Sequence, residues 1–106
     1  MGNGADARMI IAKRLKEARD RAGISSQRKL GLRAGIGESS ASGRMHYYER
    51  GKNEPKLRDM IRIGAVVGIP APYFYCENDQ LAHLILKFGT LDEAQKNQLL
   101  AFVDNL

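Results

Sequence analysis

Apolar positions recur along this chain three and four residues apart, and no segment alternates long enough to predict a strand. Ile11, Leu15, Ala18 and Ala22 step by helical intervals, which predicts a first helix from Met9 ended at Gly23. Lys13 and Glu17 fall one turn apart on its solvent side. A second helix follows in "ISSQRKLGLRAGI", with Ser25 or Ser26 as cap, Leu30 and Ala34 facing inward, and Gly35 as its stop. At about two turns it needs a partner to be stable. Two short helices about a glycine turn form the helix-turn-helix pattern.

The third segment, "GIGESSASGRMHYYERGKNEP", begins like a loop and ends in an aromatic, charged run. Ala41, Met45 and Tyr48 share one helical face, predicting a helix from about Ser40 to Arg50, stopped by Gly51. Ser39 and Ser40 are its cap candidates, and Gly43 is its weak point, since an interior glycine costs about 1 kcal/mol against alanine. The opposite face carries Ser42, Arg44, His46 and Tyr47, hydrogen-bonding groups that suit base edges and phosphates. After Pro55 comes a fourth helix whose buried side is expected to hold Leu57, Met60, Ile61, Ile63, Gly64 and Val67, ending at Gly68. "IPAPYFY" then reads as one short helical turn closing the core. In the last 30 residues Leu81, Leu84, Ile85 and Phe88 form one apolar face. Leu99, Phe102, Val103 and Leu106 form another, and Thr90 with Glu93 reads as a capping box between them. The expected fold is all-α. Residues 1–8 are a flexible lead, 9–76 a helix-turn-helix domain, and 77–106 a helical pair that either folds back on the domain or meets a second subunit.

Charge divides the chain at the same place. Residues 1–76 hold 15 basic and 7 acidic side chains, a balance of +8, whereas residues 77–106 hold 2 and 5. A basic front attracts polyanions, with nucleic acid foremost. The alternative is a solvated surface with surplus basic residues. The single cysteine, Cys76, cannot form an internal disulfide and reads as a small apolar filler. No secretory signal, myristoylation pattern or apolar run of membrane-spanning length is present, so a cytoplasmic, nucleoid-associated protein without membrane contact is expected. His46, His83 and Cys76 lack metal-ligand spacing. No cofactor or small-molecule effector is expected. No phosphate-binding glycine loop or nucleophile–base order appears, so an enzyme is not expected.

"RLKEARDRAGI", "SQRKLGLRAGI", "HYYERGKNEP" and "IGAVVGIPAPYFY", in this order over residues 10–75, resemble the lambda-repressor/Cro-type (XRE family) helix-turn-helix regulators. The resemblance implies a five-helix lambda-repressor-like domain, here followed by two additional C-terminal helices. It implies that Ser26, Gln27 and Arg28 at the start of the second helix approach the phosphate backbone, as do Arg50, Lys52 and Asn53 after the third. Leu30 and Tyr48 would be buried, and Gly31 takes the place of a small residue, usually alanine, packed against the next helix. Ser42, Gly43, Arg44, His46 and Tyr47 would face the bases, with Ser39 and Ser40 shared between capping and phosphate. The segment from Ile36 to Tyr48 is about four residues longer than in most members, the extra turn falling at "GESSAS". The implied function is a sequence-specific regulator of double-stranded DNA, a repressor. Because one such helix reads only a few base pairs, a homodimer on an inverted repeat is expected, with the acidic, apolar tail as its contact through Leu81, Leu84, Ile85, Phe88, Leu99, Phe102, Val103 and Leu106. The rival readings are an antitoxin whose C-terminal helices bind a partner protein, and an adaptor that has lost DNA binding.

Overall fold

The computed structural model describes residues 4–106; the side chains of residues 4–6, 38 and 39 fall outside that description. Among the described residues the chain is all-helical. The helices are α1 (Gly4–Arg21), α2 (Gln27–Arg33), α3 (Glu38–Glu49), α4 (Leu57–Val67), α5 (Asp79–Phe88) and α6 (Glu93–Asp104), with a 3-10 turn over Ala71–Tyr75 between α4 and α5. The glycines read as helix stops, Gly23, Gly35, Gly51 and Gly68, all have positive φ.

The core is built from the expected stripes: Ile11, Leu15 and Ala18 of α1, Leu30 of α2, Ala41, Met45 and Tyr48 of α3, and Met60 and Ile63 of α4, closed by Ile69 and a fully buried Phe74. Helices α2 and α3 meet across Gly31. A Cβ there would lie 3.0 Å from Met45 Cγ and 3.1 Å from both the Cβ and the carbonyl oxygen of Ala41. Gly64 is needed for a similar reason, since a Cβ would stand 2.5 Å from the Ile69 carbonyl oxygen where the chain doubles back. That return is pinned by the Ile69 N–H donating to the Gly64 carbonyl at 2.9 Å.

Several expectations are corrected. Helix α1 starts at Gly4, so the helix already occupies most of the expected flexible lead; Met1 to Asn3 lie outside the described residues. Ala22 is exposed. Glu17 pairs with Arg14 at 3.0 Å, while Lys13 reaches Asp79. Helix α3 starts at Glu38 with Gly37 as its cap residue and no side-chain cap, so the serines lie inside the helix rather than capping it. The "GESSAS" segment is therefore the helical start of α3 rather than a loop. In α4, Leu57 and Ile61 are exposed and the buried side instead includes Asp59, an acid the apolar pattern passes over. The last helix is capped by Asp92 with Gln95 in a reciprocal capping box, whereas the Thr90 hydroxyl donates backward to the Lys87 carbonyl.

The C-terminal pair is joined to the core unevenly. Ala82 is buried, and Ile85 and Leu86 pack against the core, so α5 docks by a face rotated from the expected one. Leu81 and Leu84 are left exposed, and α6 buries none of its residues. The radius of gyration, 14.9 Å, exceeds the ~13 Å of a compact chain of this length. The longest dimension is 49 Å against a shortest of 21 Å.

Candidate DNA-binding interface

Helix α3 has one face locked in the core and one face open. Ala41, Met45 and Tyr48 are buried, while Ser42, Gly43, His46, Tyr47 and Arg50 are exposed together on the other side. Beyond its chain neighbours and the backbone of its own helix, nothing lies within 4 Å of where a Gly43 Cβ would stand, so the middle of this face is open. His46 and Tyr47 sit side by side with ring centroids 6.0 Å apart, and Arg50 Nη1 lies 3.5 Å from His46 Nε2. Lys52 and Asn53 are exposed in the loop that follows. This loop is held from behind, because Arg8 Nε donates to the Gly51 carbonyl at 3.1 Å.

Helix α2 presents its start to the C-terminal end of α3. The Ser26 hydroxyl caps α2 by accepting from the Lys29 N–H at 3.1 Å. Gln27 Nε2 donates to Glu49 Oε1 at 3.1 Å. Glu49 is almost fully buried, and Arg19 grips both its oxygens at 2.6 and 3.0 Å while also donating to the carbonyls of Ile24 and Ser25. This network ties α1, the α2 start and the α3 end into one unit. Arg28, Lys29 and Arg33 are exposed along α2.

Arg44 and Ser40 stand apart from the expected open face. Ser40 is half-buried. Arg44 occupies the flank of α3 nearest α4, where Nη1 lies 3.4 Å from Asp59 Oδ2 with the side chain 36% exposed. Asp59 also accepts from the Tyr48 hydroxyl at 2.8 Å. Burial and this hydrogen bond push the Tyr48 phenol up to about 12. The Ser39 side chain lies outside the described residues. Thus Ser42, His46, Tyr47 and Arg50 are brought together on one face, Lys52 and Asn53 follow them in the loop, Ser26 and Gln27 are engaged at the α2 start, and Arg44 is tethered.

Arg19, Glu49 and Asp59 were not singled out by the sequence reading as site residues. Glu49 had a signal, since it lies one turn beyond Met45 on the buried face. Asp59 had one as well, directly before Met60 at the edge of an apolar stripe, where a solvated acid has no reason to sit. Among the described residues no three His, Cys, Asp or Glu side chains gather as a metal site, and no helix is long and apolar enough to cross a membrane.

No family model matches the chain, and no curated protein does. A solved structure does match: the crystal structure of the transcriptional regulator BswR, 43% identical, superposes at a TM-score of 0.80 over 90% of this chain and 93% of that one. The chain belongs to the BswR family.

Proposed function

We propose that this protein is a sequence-specific DNA-binding transcriptional regulator of the lambda-repressor (XRE) type, acting as a repressor and bound as a homodimer to an inverted repeat. The observation that carries the reading is the α3 face of Ser42, Gly43, His46, Tyr47 and Arg50. It is free of packing although the helix behind it is locked against α2 across Gly31. A rigid helix with an open polar face is what insertion into a major groove requires. Ser26, Gln27 and Arg28, with Arg50, Lys52 and Asn53, flank that face and take phosphates, the sequence-independent part of the affinity. Ser40, with Ser39 beside it in sequence, belongs to the N-terminal turn of α3 and adds to the phosphate contacts. One helix reads only a few base pairs, and each good bidentate contact discriminates by only ~1–3 kcal/mol, so two copies are needed for a useful operator.

The C-terminal helices supply the second copy's contact. Leu81, Leu84, Phe102, Val103 and Leu106 are exposed, and Phe88 and Leu99 are half-buried beside them. Ile85 supports this surface from the core side. The partners are therefore double-stranded DNA and a second copy of the chain, in the cytoplasm at the nucleoid. The same exposed face favours one alternative, an antitoxin that sequesters a partner protein.

Selection from random duplex DNA, then a salt titration on the winner, tests the reading. Recovery of a two-fold symmetric motif is expected. Lys52→Ala should weaken all sequences about equally and lower the salt slope by about one unit. Steep salt dependence with no recovered motif overturns sequence-specific recognition.

A further inference from the structure

Asp59 is a charged side chain that the proposed DNA contacts do not use, and it is 1% exposed. Burying a carboxylate is costly unless it is paired and hydrogen-bonded. Both of its recorded side-chain partners come from α3. The Tyr48 hydroxyl donates at 2.8 Å and fixes the carboxylate, and Arg44 Nη1 lies 3.4 Å from the same oxygen. Arg44 spends one edge of its guanidinium on this contact. Its Nε and Nη2 have no recorded partner among the described residues, and a third of the side chain faces solvent beside Tyr47.

A planar guanidinium held by one nitrogen has its remaining donors presented in a fixed fork, the geometry that bidentate recognition of a guanine edge needs. An unheld arginine would lose rotamer freedom on binding and answer to any nearby phosphate. We propose that Asp59 is a positioning residue for sequence readout: fixed by Tyr48, it orients Arg44 so that the free edge of the guanidinium reads a base at the border of the α3 contact. Asp59 touches no DNA. It acts only through Arg44, and the inference rests on the DNA-reading role proposed above.

A double-mutant cycle on the selected duplex and its single-base variants tests this. Asp59→Asn keeps shape and an acceptor for Tyr48 but removes the charge facing Arg44. It should weaken the selected site about tenfold, the scale of one oriented charge-assisted contact. The preference lost should be at the same base position that Arg44→Ala loses. In the Arg44→Ala background it should change nothing further. Arg44→Lys needs no core change and keeps the charge without the fork, so it should lose the same preference even if Asp59→Asn folds poorly. Unchanged preference in Arg44→Lys overturns the proposal, as does tighter binding by Asp59→Asn or an equal loss at every position. A wild-type protein that selects no motif overturns the DNA-reading role as well, whereas a wild type that does, with a neutral Arg44→Lys, overturns this inference alone.

Discussion

At the scale of single residues, Tyr48 and Gly31 hold the recognition helix in place by opposite means. Tyr48 is 4% exposed and keeps its proton because burial and the Asp59 carboxylate both disfavour the phenolate. Its ionisation is pushed up to about 12 in the folded protein, against ~10 in an unfolded chain. Below the unfolded value both states are protonated and the stabilisation is complete. As pH rises from there toward the folded value, only the unfolded state releases the proton, so stability falls. The loss approaches about 2 kcal/mol. Comparing denaturation of the wild type with Tyr48→Phe between the two values isolates this, because the other alkaline groups cancel. The wild type's advantage should shrink as pH rises, and a constant difference would mean the phenol carries no such shift. Gly31 works by absence of atoms. Gly31→Leu places a side chain where even a Cβ lies 3.0 Å from Met45. It should cost about 1–3 kcal/mol by overpacking, read as a lower denaturation midpoint.

At the scale of elements, helices α1 to α5 were legible because each carries an apolar stripe of the right period and a glycine at its end, while α6 shows the stripe alone and is capped by Asn105. The third helix shows where that legibility stopped. Its buried face was plain from Ala41, Met45 and Tyr48, but its first turn was not, since serines read equally well as caps or helix interior. The outward face was legible as a set, Ser42, His46, Tyr47 and Arg50. Arg44 does not belong to it: three residues after Ala41 and four before Tyr48, it stands at the edge of the buried face, and its partner Asp59, fifteen residues on, is what no local pattern reports. Arg14 was hidden for the same reason. It looks like a surface arginine in a basic helix, yet it is 4% exposed and donates to the carbonyls of Cys76 and Glu77 and to Asp79, fastening the start of α5 to α1. The Arg14 hydrogen bond, with Lys13 nearby, holds the Asp79 carboxyl below its usual range. That fastening is therefore present above the ordinary aspartate range and weakens as pH falls through it. Gly43 yields an element-scale prediction. It lies inside α3 with open space around it and without a positive φ, so Gly43→Ala should raise stability by about 1 kcal/mol, seen as a higher thermal midpoint. No increase would mean that α3 is already frayed at that turn.

At the scale of the whole molecule, charge and apolar surface are segregated, and this shapes how two copies can meet. The basic front, +8 over residues 1–76, repels its like, while the net-acidic C-terminal pair carries exposed Leu81, Leu84, Phe102, Val103 and Leu106. In the proposed dimer, contact through α5 and α6 puts apolar groups together and leaves the basic fronts free for DNA. An exposed large apolar side chain removed from water contributes ~1.5–3 kcal/mol when fully buried, so a few such anchors from each copy offset the cost of association. Leu84→Asp with Phe102→Asp changes two solvent-facing positions and should leave the monomer folded, judged by an unchanged helical signal. Sedimentation should then move from dimer to monomer. Affinity for the full inverted repeat should fall to that for a single half-site, because the second half-site no longer binds as part of the same molecule. Unchanged sedimentation would place the contact elsewhere, and the exposed Leu57 and Ile61 of α4 are the next apolar pair to test. A monomer that kept full affinity for the repeat would instead remove the need for a dimer in reading it.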